Sequence, residues 1–161
     1  MRRKLFSVIH KLWHLRLKIV SWLGGKVLGA RALVIRDDEI LLIRHTYADG
    51  WYTIGGGIDR GETPRQAIKR ELREEVGLDV EGEPKLMGIY YNGSIKRGDY
   101  VVLYVISSVK ELPANAKTRS LEIAEQRWFK LDNLPQDISP ATKRRIEEFL
   151  GKRSISESWG I

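Results

Sequence analysis

Residues 56–78 read GGIDRGETPRQAIKRELREEVGL, and this stretch is the most informative part of the chain for its fold. Its latter part predicts a helix, because Thr63 can cap the N-terminus and Pro64 suits the first helical position. The helix should end at about Val76, since Gly77 is the type of residue that closes helices in a left-handed conformation. The sequence therefore predicts a glycine-rich segment that leads directly into a capped helix.

The predicted helix has an apolar face and an acidic face. The residues that recur every four positions as a core-facing stripe are Ile68, Leu72 and Val76. Glu71, Glu74 and Glu75 gather on an adjacent face, where like charges at this spacing are unfavourable. One interpretation is a solvated acidic face balanced by Arg70 and Arg73. The other is a metal site, because Mg²⁺ binds carboxylate oxygens and leaves its remaining positions to water and substrate phosphates.

The glycine run before the helix supports the metal interpretation. Backbone N–H groups of Gly55, Gly56 and Gly57 can approach a phosphate closely, since glycine has no Cβ. Such runs are also common in ordinary turns, so the run alone is weak evidence. Its direct connection to an acidic helix is what favours a phosphate site.

The same stretch resembles the signature of Nudix hydrolases, the family that includes MutT-like proteins. That signature is Gly, five residues, Glu, seven residues, Arg-Glu, an aliphatic residue, any residue, Glu-Glu, any residue, Gly and an aliphatic residue. Every position is filled, by Gly56, Glu62, Arg70, Glu71, Leu72, Glu74, Glu75, Gly77 and Leu78. The resemblance implies an α/β (α+β) fold, an α/β/α sandwich with a mixed β-sheet.

The resemblance also implies roles for these residues. The implied ligands of Mg²⁺ or Mn²⁺ are Gly56, Glu71, Glu74 and Glu75. Glu74 or Glu75 would also be a candidate for the catalytic base. Glu62 and Arg70 would form a salt bridge that orients the ligands, a kind of support that fixed metal geometry needs.

A further acid is expected outside the stretch. In the family it often comes from a loop before a strand that contains an aromatic residue, and Glu122 and Glu125 both precede Trp128. We favour Glu122 as base or metal ligand and keep Glu125 as the alternate. Surface charge at a strand edge is the competing interpretation for each.

Substrate contacts are expected near the glycine run. Gly55 and Gly57 are candidates for phosphate contacts, and Trp51 and Tyr52 could stack on a base. The two aromatic side chains could instead fill the core. The sequence lacks the extra markers that tend to accompany family members acting on ADP-ribose, NADH, coenzyme A or dinucleoside polyphosphates, so the substrate stays open.

The expected activity is metal-dependent hydrolysis of a diphosphate linkage in a nucleoside diphosphate linked to another moiety, by water attack at phosphorus. One alternative is removal of pyrophosphate from RNA 5′ ends, and another is a non-catalytic nucleotide-binding module. The complete set of glutamates argues against the non-catalytic module. The absence of cysteine argues against the isomerase that shares the fold, and it also excludes a disulfide scaffold.

The remaining chain predicts one domain over residues 26–151, with a loose polar tail over 152–161. The expected strands cover about 27–36, 40–45, 85–91, 100–109 and 125–130. A closing helix should follow Ser139 and Pro140 and run to Leu150.

The N-terminal arm, residues 1–25, predicts a basic amphipathic helix. Residues 1–26 carry seven basic residues and no acid, so they account for the whole net charge of +7. The arm is too interrupted by charge to span a bilayer. Its apolar stripe could pack on the domain or a partner chain, or its basic face could lie on an anionic membrane surface or contact RNA. We expect a cytoplasmic protein with a peripheral membrane contact as one option.

Overall fold

The computed structural model describes residues 28–93, 99–113 and 121–160. The helix predicted for the N-terminal arm lies outside these residues. In chain order the elements are β1 (Leu28–Arg36), β2 (Glu39–His45), β3 (Ile54–Gly57), α1 (Pro64–Val76), β4 (Leu78–Val80), β5 (Lys85–Asn92), β6 (Asp99–Ile106), β7 (Val109–Glu111), β8 (Ile123–Lys130) and α2 (Pro140–Phe149).

The main sheet is mixed, as the sequence predicted. Its strands lie in the order β5-β6-β1-β2-β8, with β1 and β6 parallel and the other neighbours antiparallel. One edge of β1 is shared by two antiparallel partners. Its first half pairs with β3, and its second half pairs with β2. Strands β4 and β7 form a separate two-stranded sheet. The arrangement brings the glycine-rich segment onto the central strand.

The two helices cover opposite faces of the main sheet. Strand side chains alternate between faces, so neighbouring residues enter different cores. The core under α1 includes Ala30, Ala32, Val34, Leu41, Ile43, Ile54, Ile68, Leu72 and Val102. The core under α2 includes Leu33, Ile35, Ile40, Leu42, Trp51, Tyr90, Leu103 and Ile146. This confirms the predicted α/β/α sandwich.

Helix α1 begins and ends where the sequence predicted. The Thr63 hydroxyl accepts from the Gln66 N–H, and the Gln66 side chain accepts from the Thr63 N–H, so the two residues form a capping box. Gly77 follows the helix in the left-handed region at φ 68°. The helix is therefore fixed at both ends by local interactions.

Two local predictions were wrong. The glycine-rich segment, for which the sequence predicts no strand, contains a strand, β3, whose residues pair with β1 from Gly29 to Ala32. The strand expected to run to Val109 ends at Ile106, and Val109 begins the separate strand β7. Both differences come from pairing between distant segments, which local sequence pattern does not show.

The prediction of a loose C-terminal tail was also wrong for residues 156–160. The Tyr91 N–H donates to the Glu157 carbonyl at 2.7 Å, and the Trp159 N–H donates to the Tyr91 carbonyl at 2.8 Å. Trp159 also meets the Tyr90 ring edge-to-face at 5.7 Å. The tail thus covers the outer edge of β5. Within the described parts of the chain, neither helix has the length and apolar character needed to cross a bilayer.

Candidate active site

The acidic face of α1 lies against β3. The Gly55 N–H donates to Glu75 Oε2 at 2.8 Å, which ties the last turns of the helix to the strand. Gly55 itself is buried at φ 130°, and a Cβ there would lie 2.1 Å from the Ala30 carbonyl oxygen. Glycine is therefore required at this position for steric reasons as well as for its backbone conformation.

Gly56 provides the space that Glu71 occupies. A Cβ added at Gly56 would lie 2.6 Å from Glu71 Oε1 and 2.9 Å from its carboxyl carbon. The Glu71 side chain is only 13% exposed, so it has little freedom to move aside. The close approach of carboxylate and backbone explains why the predicted signature has glycine at this point.

Replacing Gly56 with Ala should displace the Glu71 carboxylate and lower metal-dependent turnover by about 100-fold, since misplacement of a catalytic group by about 1 Å has effects of that size. Gly57→Ala is the matched control, because a Cβ at Gly57 meets nothing within 4 Å. Steady-state kinetics of both variants tests the idea. Equal losses in the two variants would contradict the steric role assigned to Gly56.

Arg70 organises the acidic face through several hydrogen bonds. Its Nε and Nη2 donate to the two carboxylate oxygens of Glu62, each at 3.0 Å, which makes a bidentate pair. Its Nη1 donates to Glu71 Oε1 at 2.7 Å and to Glu74 Oε2 at 3.3 Å. Its Nη2 also donates to the Gly57 carbonyl at 3.0 Å. One guanidinium thus connects the glycine-rich strand to three glutamates.

The ion pair expected between Glu62 and Arg70 is present in the structure. The Arg70 guanidinium holds the pKa of Glu62 below its usual value, mainly through their hydrogen bonds. The already high pKa of Arg70 is raised further by Glu62 and Glu71. Both groups are therefore charged across the physiological range, and the pair can hold Arg70 in place.

The two inner glutamates of α1 are electrostatically unfavourable as charged groups. Burial raises the pKa of Glu75 to about 8, against the opposing effects of Arg31 and of the Gly55 N–H. Burial also raises the pKa of Glu71, and the hydrogen bond from Arg70 opposes this shift. Positive charge on the protein thus compensates these two carboxylates only in part.

The donor set fits a hard divalent cation. Carboxylate oxygens are the ligands that Mg²⁺ and Mn²⁺ prefer, and a cation would supply the compensation that buried Glu71 and Glu75 lack. Glu74 is half exposed on the same face and adds a third carboxylate. Across residues 28–93, 99–113 and 121–160, no three acidic or histidine side chains are already arranged as a metal-binding group. Arg70 instead bonds to both Glu71 and Glu74.

Glu75 should make the metal-free protein less stable as the pH rises. Its folded pKa of about 8 exceeds the ordinary glutamate value of 4.5, so the unfolded state binds fewer protons between these values. The stability that Glu75 contributes is fully present below the unfolded pKa. It declines as the pH rises from the unfolded pKa to the folded pKa. Melting in EDTA at about pH 5 and about pH 9 should show a larger fall for wild type than for Glu75→Gln.

The exposed substitution Glu83→Gln is the control for this measurement and should follow the wild-type pH dependence. Glu83 lies outside the α1 face and is 67% exposed in its side chain. If Glu75→Gln loses stability with pH as steeply as the wild type, the assignment of the raised pKa to Glu75 is contradicted.

The two acids before Trp128 lie on opposite faces of the sheet. Glu125 pairs with Arg44 across β8 and β2, and its carboxylate forms an ion pair with Arg127. Arg44 and Arg127 both lie over the Trp51 ring, on the α2 side. Glu125 is therefore separated from α1 by the sheet, and its expectation as an alternate site residue is corrected.

Glu122 lies on the same side as α1. Its charge helps to raise the pKa of Glu75 and the pKa of Tyr47, although burial is the main cause in both. The register shift in β8 opposite Arg44 and His45 lies between the two acids, and Glu122 precedes the first residue of the strand. The structure thus brings Glu122, and not Glu125, to the acidic face of α1.

The predicted substrate contacts are only partly brought to the site. Trp51 is 3% exposed and packs edge-to-face on Phe129 in the core under α2, so the prediction that it stacks on a base is corrected. The Gly55 N–H already donates to Glu75, which removes it as a phosphate donor in this arrangement. Gly57 is exposed beside Arg70. Tyr52 is half-buried, and its hydroxyl donates to the Asp49 carbonyl at 2.7 Å.

His45 and Tyr47 also lie at the site, although the sequence motif did not point to them. Burial and the Arg31 charge lower the pKa of His45 to about 4, so its ring is neutral at physiological pH. The sequence signal that could have identified His45 is the alternation of side chains along β2. His45 continues the series of Leu41 and Ile43, which both face α1.

Comparison with known proteins agrees with the geometry. The NUDIX domain model matches residues 25–149. The NAD-capped RNA hydrolase NudC of Stutzerimonas stutzeri is 36% identical over 127 residues, which cover 75% of this chain and 43% of that protein. Diphosphoinositol polyphosphate phosphohydrolase 2 of Rattus norvegicus is 34% identical over 101 residues, which cover 61% of this chain and 53% of that protein. The chain thus spans about half the length of these curated relatives.

A solved structure gives the same result for the fold. The MutT NUDIX hydrolase from Burkholderia pseudomallei is 26% identical with a TM-score of 0.65, over 76% of this chain and 97% of that chain. The domain match covers most of the sequence, including the acidic helix and the glycine-rich strand described above. The chain therefore belongs to the Nudix hydrolase family.

Proposed function

We propose that the protein hydrolyses a diphosphate linkage in a nucleoside diphosphate derivative, with a divalent cation held by the acidic face of α1. The observation that carries this proposal is the pair of largely buried carboxylates, Glu71 and Glu75, placed between α1 and β3. Two partly compensated carboxylates that are largely removed from solvent cost stability, so their presence favours a functional role over a structural one.

The α1 glutamates would hold the cation, and Arg70 would keep them in position. Glu71, Glu74 and Glu75, together with the Gly56 backbone, would supply the oxygens for Mg²⁺ or Mn²⁺. When bound, the cation neutralises phosphate charge and lowers the pKa of a coordinated water. The Arg70 pair with Glu62 fixes the guanidinium, and its bond to Glu71 limits where that carboxylate can point.

We assign to Glu122 the role of accepting the proton from the attacking water. Glu122 comes from the segment just before β8 and not from α1. Its charge acts on Glu75 and Tyr47. A base on that segment can act without giving up a position on the helix that holds the cation. Glu74 and Glu75 remain the alternatives that the family resemblance allows.

Replacing Glu122 with Gln should lower turnover by about 100-fold, which is the lower range for removal of a general base. Glu125→Gln is the matched control, because Glu125 lies two residues into β8 on the opposite face of the sheet. If Glu125→Gln shows the larger loss, the assignment of Glu122 is contradicted.

The reaction class can be tested with a panel of nucleoside triphosphates, nucleotide sugars, dinucleotides and base-free polyphosphates. Each substrate is incubated with Mg²⁺, with Mn²⁺ and with EDTA, and released phosphate and pyrophosphate are measured. We expect cleavage of at least one nucleotide that EDTA abolishes. Cleavage that persists in EDTA would contradict the role of the cation, and no cleavage would favour a binding module.

A second candidate function is hydrolysis at the 5′ end of RNA. It is favoured by the similarity to NudC, a protein whose name describes a hydrolase of NAD-capped RNA. Adding 5′-triphosphate RNA and NAD-capped RNA to the same panel tests this candidate. A preference for RNA over the matching free nucleotide would support it. Location in the cytoplasm or at a membrane surface through residues 1–25 stays a prediction of the sequence.

A further inference from the structure

Tyr47 belongs to a row of three aromatic rings beside the acidic face. It follows β2 in the connection to β3, and its ring stacks on His45 with centroids 4.9 Å apart and planes 18° apart. His45 in turn contacts Tyr52 at 5.4 Å. His45 is 9% exposed, whereas Tyr47 is 45% exposed. The row therefore has a buried support and an outer ring that solvent or a ligand can reach.

The connection that carries Tyr47 is fixed by backbone contacts to the segment before β8. The Thr46 N–H donates to the Glu122 carbonyl at 2.8 Å, and the Thr46 hydroxyl contacts the Leu121 carbonyl at 3.5 Å. At the other end of the connection, Tyr52 donates to the Asp49 carbonyl. Tyr47 is thus held next to Glu122 by the chain on both sides, which limits the entropy cost of ordering a ligand there.

Tyr47 also lies within electrostatic range of the α1 glutamates. Burial of its hydroxyl end raises the pKa of Tyr47 to about 12, and Glu122, Glu75 and Glu71 add to the effect. Tyrosine is neutral at physiological pH even with its ordinary pKa, and His45 beneath it is neutral because its pKa is lowered. A neutral, supported and half-exposed ring beside carboxylates that bind a cation is suited to stack on a planar group attached to a phosphate.

Several other aromatic side chains in the described part of the chain have positions that do not suit this purpose. Trp51 and Tyr90 are buried in the core under α2. Tyr91 and Tyr100 contact each other on β5 and β6, and the Tyr91 backbone pairs with the C-terminal tail. Tyr47 combines exposure with proximity to both Glu122 and the α1 glutamates.

We propose that Tyr47 is a specificity-determining residue that stacks on the base of the substrate, so that the enzyme selects diphosphates carrying a planar aromatic group over base-free polyphosphates. This inference rests on the proposed function, because it places the substrate phosphates at the α1 glutamates. It also separates this chain from a relative such as the diphosphoinositol polyphosphate phosphohydrolase, whose named substrate class has no base.

The test compares ADP with ribose 5-diphosphate, which carries the same phosphates and no base. Calorimetry with Mg²⁺ measures both dissociation constants for wild type, Tyr47→Ala and Tyr47→Phe. Wild type should bind ADP about 10- to 100-fold more tightly than ribose 5-diphosphate, because stacking of one base on an aromatic ring has an effect of this size. Tyr47→Ala should reduce this ratio to about one, and Tyr47→Phe should keep it.

The outcomes separate this inference from the proposed function. Equal ratios in wild type and Tyr47→Ala would overturn the role of Tyr47, as would a ratio lost equally in Tyr47→Phe. Selective binding of ADP by wild type, lost in Tyr47→Ala, would support the inference even if no panel substrate is cleaved. In that case the proposed hydrolysis would be overturned, and the role of Tyr47 in binding the base would stand. A loss of folding in Tyr47→Ala is detected by its melting temperature, and Tyr47→Leu then replaces it as the variant without an aromatic ring.

Discussion

Glu75→Gln is expected to reduce metal-dependent turnover by about 100-fold or more, and Glu74→Gln should have an effect of the same order. The change replaces one oxygen by nitrogen and preserves the volume of the side chain. The remaining amide oxygen can still accept from the Gly55 N–H, which is 2.8 Å from Glu75 Oε2. The fold should therefore persist while a charged ligand of the cation is lost. Steady-state kinetics with saturating Mg²⁺ measures the effect.

The control for this prediction is the exposed variant Glu83→Gln, which should retain wild-type turnover. Circular dichroism should show the same fold in all variants. Isothermal titration should show weaker Mg²⁺ binding by Glu75→Gln. Near-normal turnover by Glu75→Gln, with its fold intact, would remove the basis for placing the cation on α1.

Arg145→Leu is expected to destabilise the protein by ~3–5 kcal/mol, because it leaves the Glu148 carboxylate buried without its partner. Both side chains are 0% exposed, and Arg145 Nη2 donates to Glu148 Oε1 at 2.8 Å. Glu148 also accepts from the Tyr90 hydroxyl and the Ser156 N–H, so the pair joins α2 to β5 and to the tail. Urea unfolding measures the loss.

Two further variants show whether the buried charge is the cause. Arg145→Leu combined with Glu148→Gln removes the charge and keeps one oxygen that can accept from the Ser156 N–H, while the new amide NH2 can donate to the Tyr90 hydroxyl oxygen. The double variant should therefore regain much of the lost stability. Arg153→Leu is the control, because Arg153 is the exposed partner of Glu147, which lies on α2 next to Glu148. This change should lower the free energy of unfolding by ~1 kcal/mol or less. A small effect of Arg145→Leu, or no recovery in the double variant, would contradict the role assigned to the buried pair.

The helix that carries the site could be predicted in detail because its signals are local. Thr63, Gln66 and Gly77 fix its ends through neighbours within four residues. The i, i+4 spacing of Ile68, Leu72 and Val76 fixes which face is buried. The proximity of Glu71 to Glu75 then follows from helix geometry alone. No knowledge of the rest of the fold is needed for this part of the site.

The strand nature of β3 and the fate of Trp51 were not predictable in the same way. Gly55, Gly56 and Gly57 favour no regular structure by themselves, and their strand conformation comes from pairing with β1. Trp51 stands close in sequence to the glycine run, but the chain turns it into the core under α2, where Arg44 and Phe129 contact it. Sequence proximity was therefore a poor guide to spatial proximity in this segment.

The distinction between Glu122 and Glu125 follows in part from strand alternation, because Trp128 faces α1 and only Glu122 is an even number of residues away from it. The register shift opposite Arg44 and His45 interrupts this alternation, and the residue pattern does not show it. The docked tail depends in the same way on a distant partner, since Trp159 pairs with Tyr91. Such long-range pairings are what the pattern of residues in one segment leaves undetermined.

The most direct test of the central claim is hydrolysis in H₂¹⁸O of the best nucleotide from the panel, with Mg²⁺ and with EDTA. Mass spectrometry of the products locates the incorporated oxygen. Attack of water at phosphorus, assisted by a cation on α1, predicts ¹⁸O in a phosphate product with Mg²⁺ and no product in EDTA. Label found only on carbon, or product formed equally well in EDTA, would contradict the proposed mechanism.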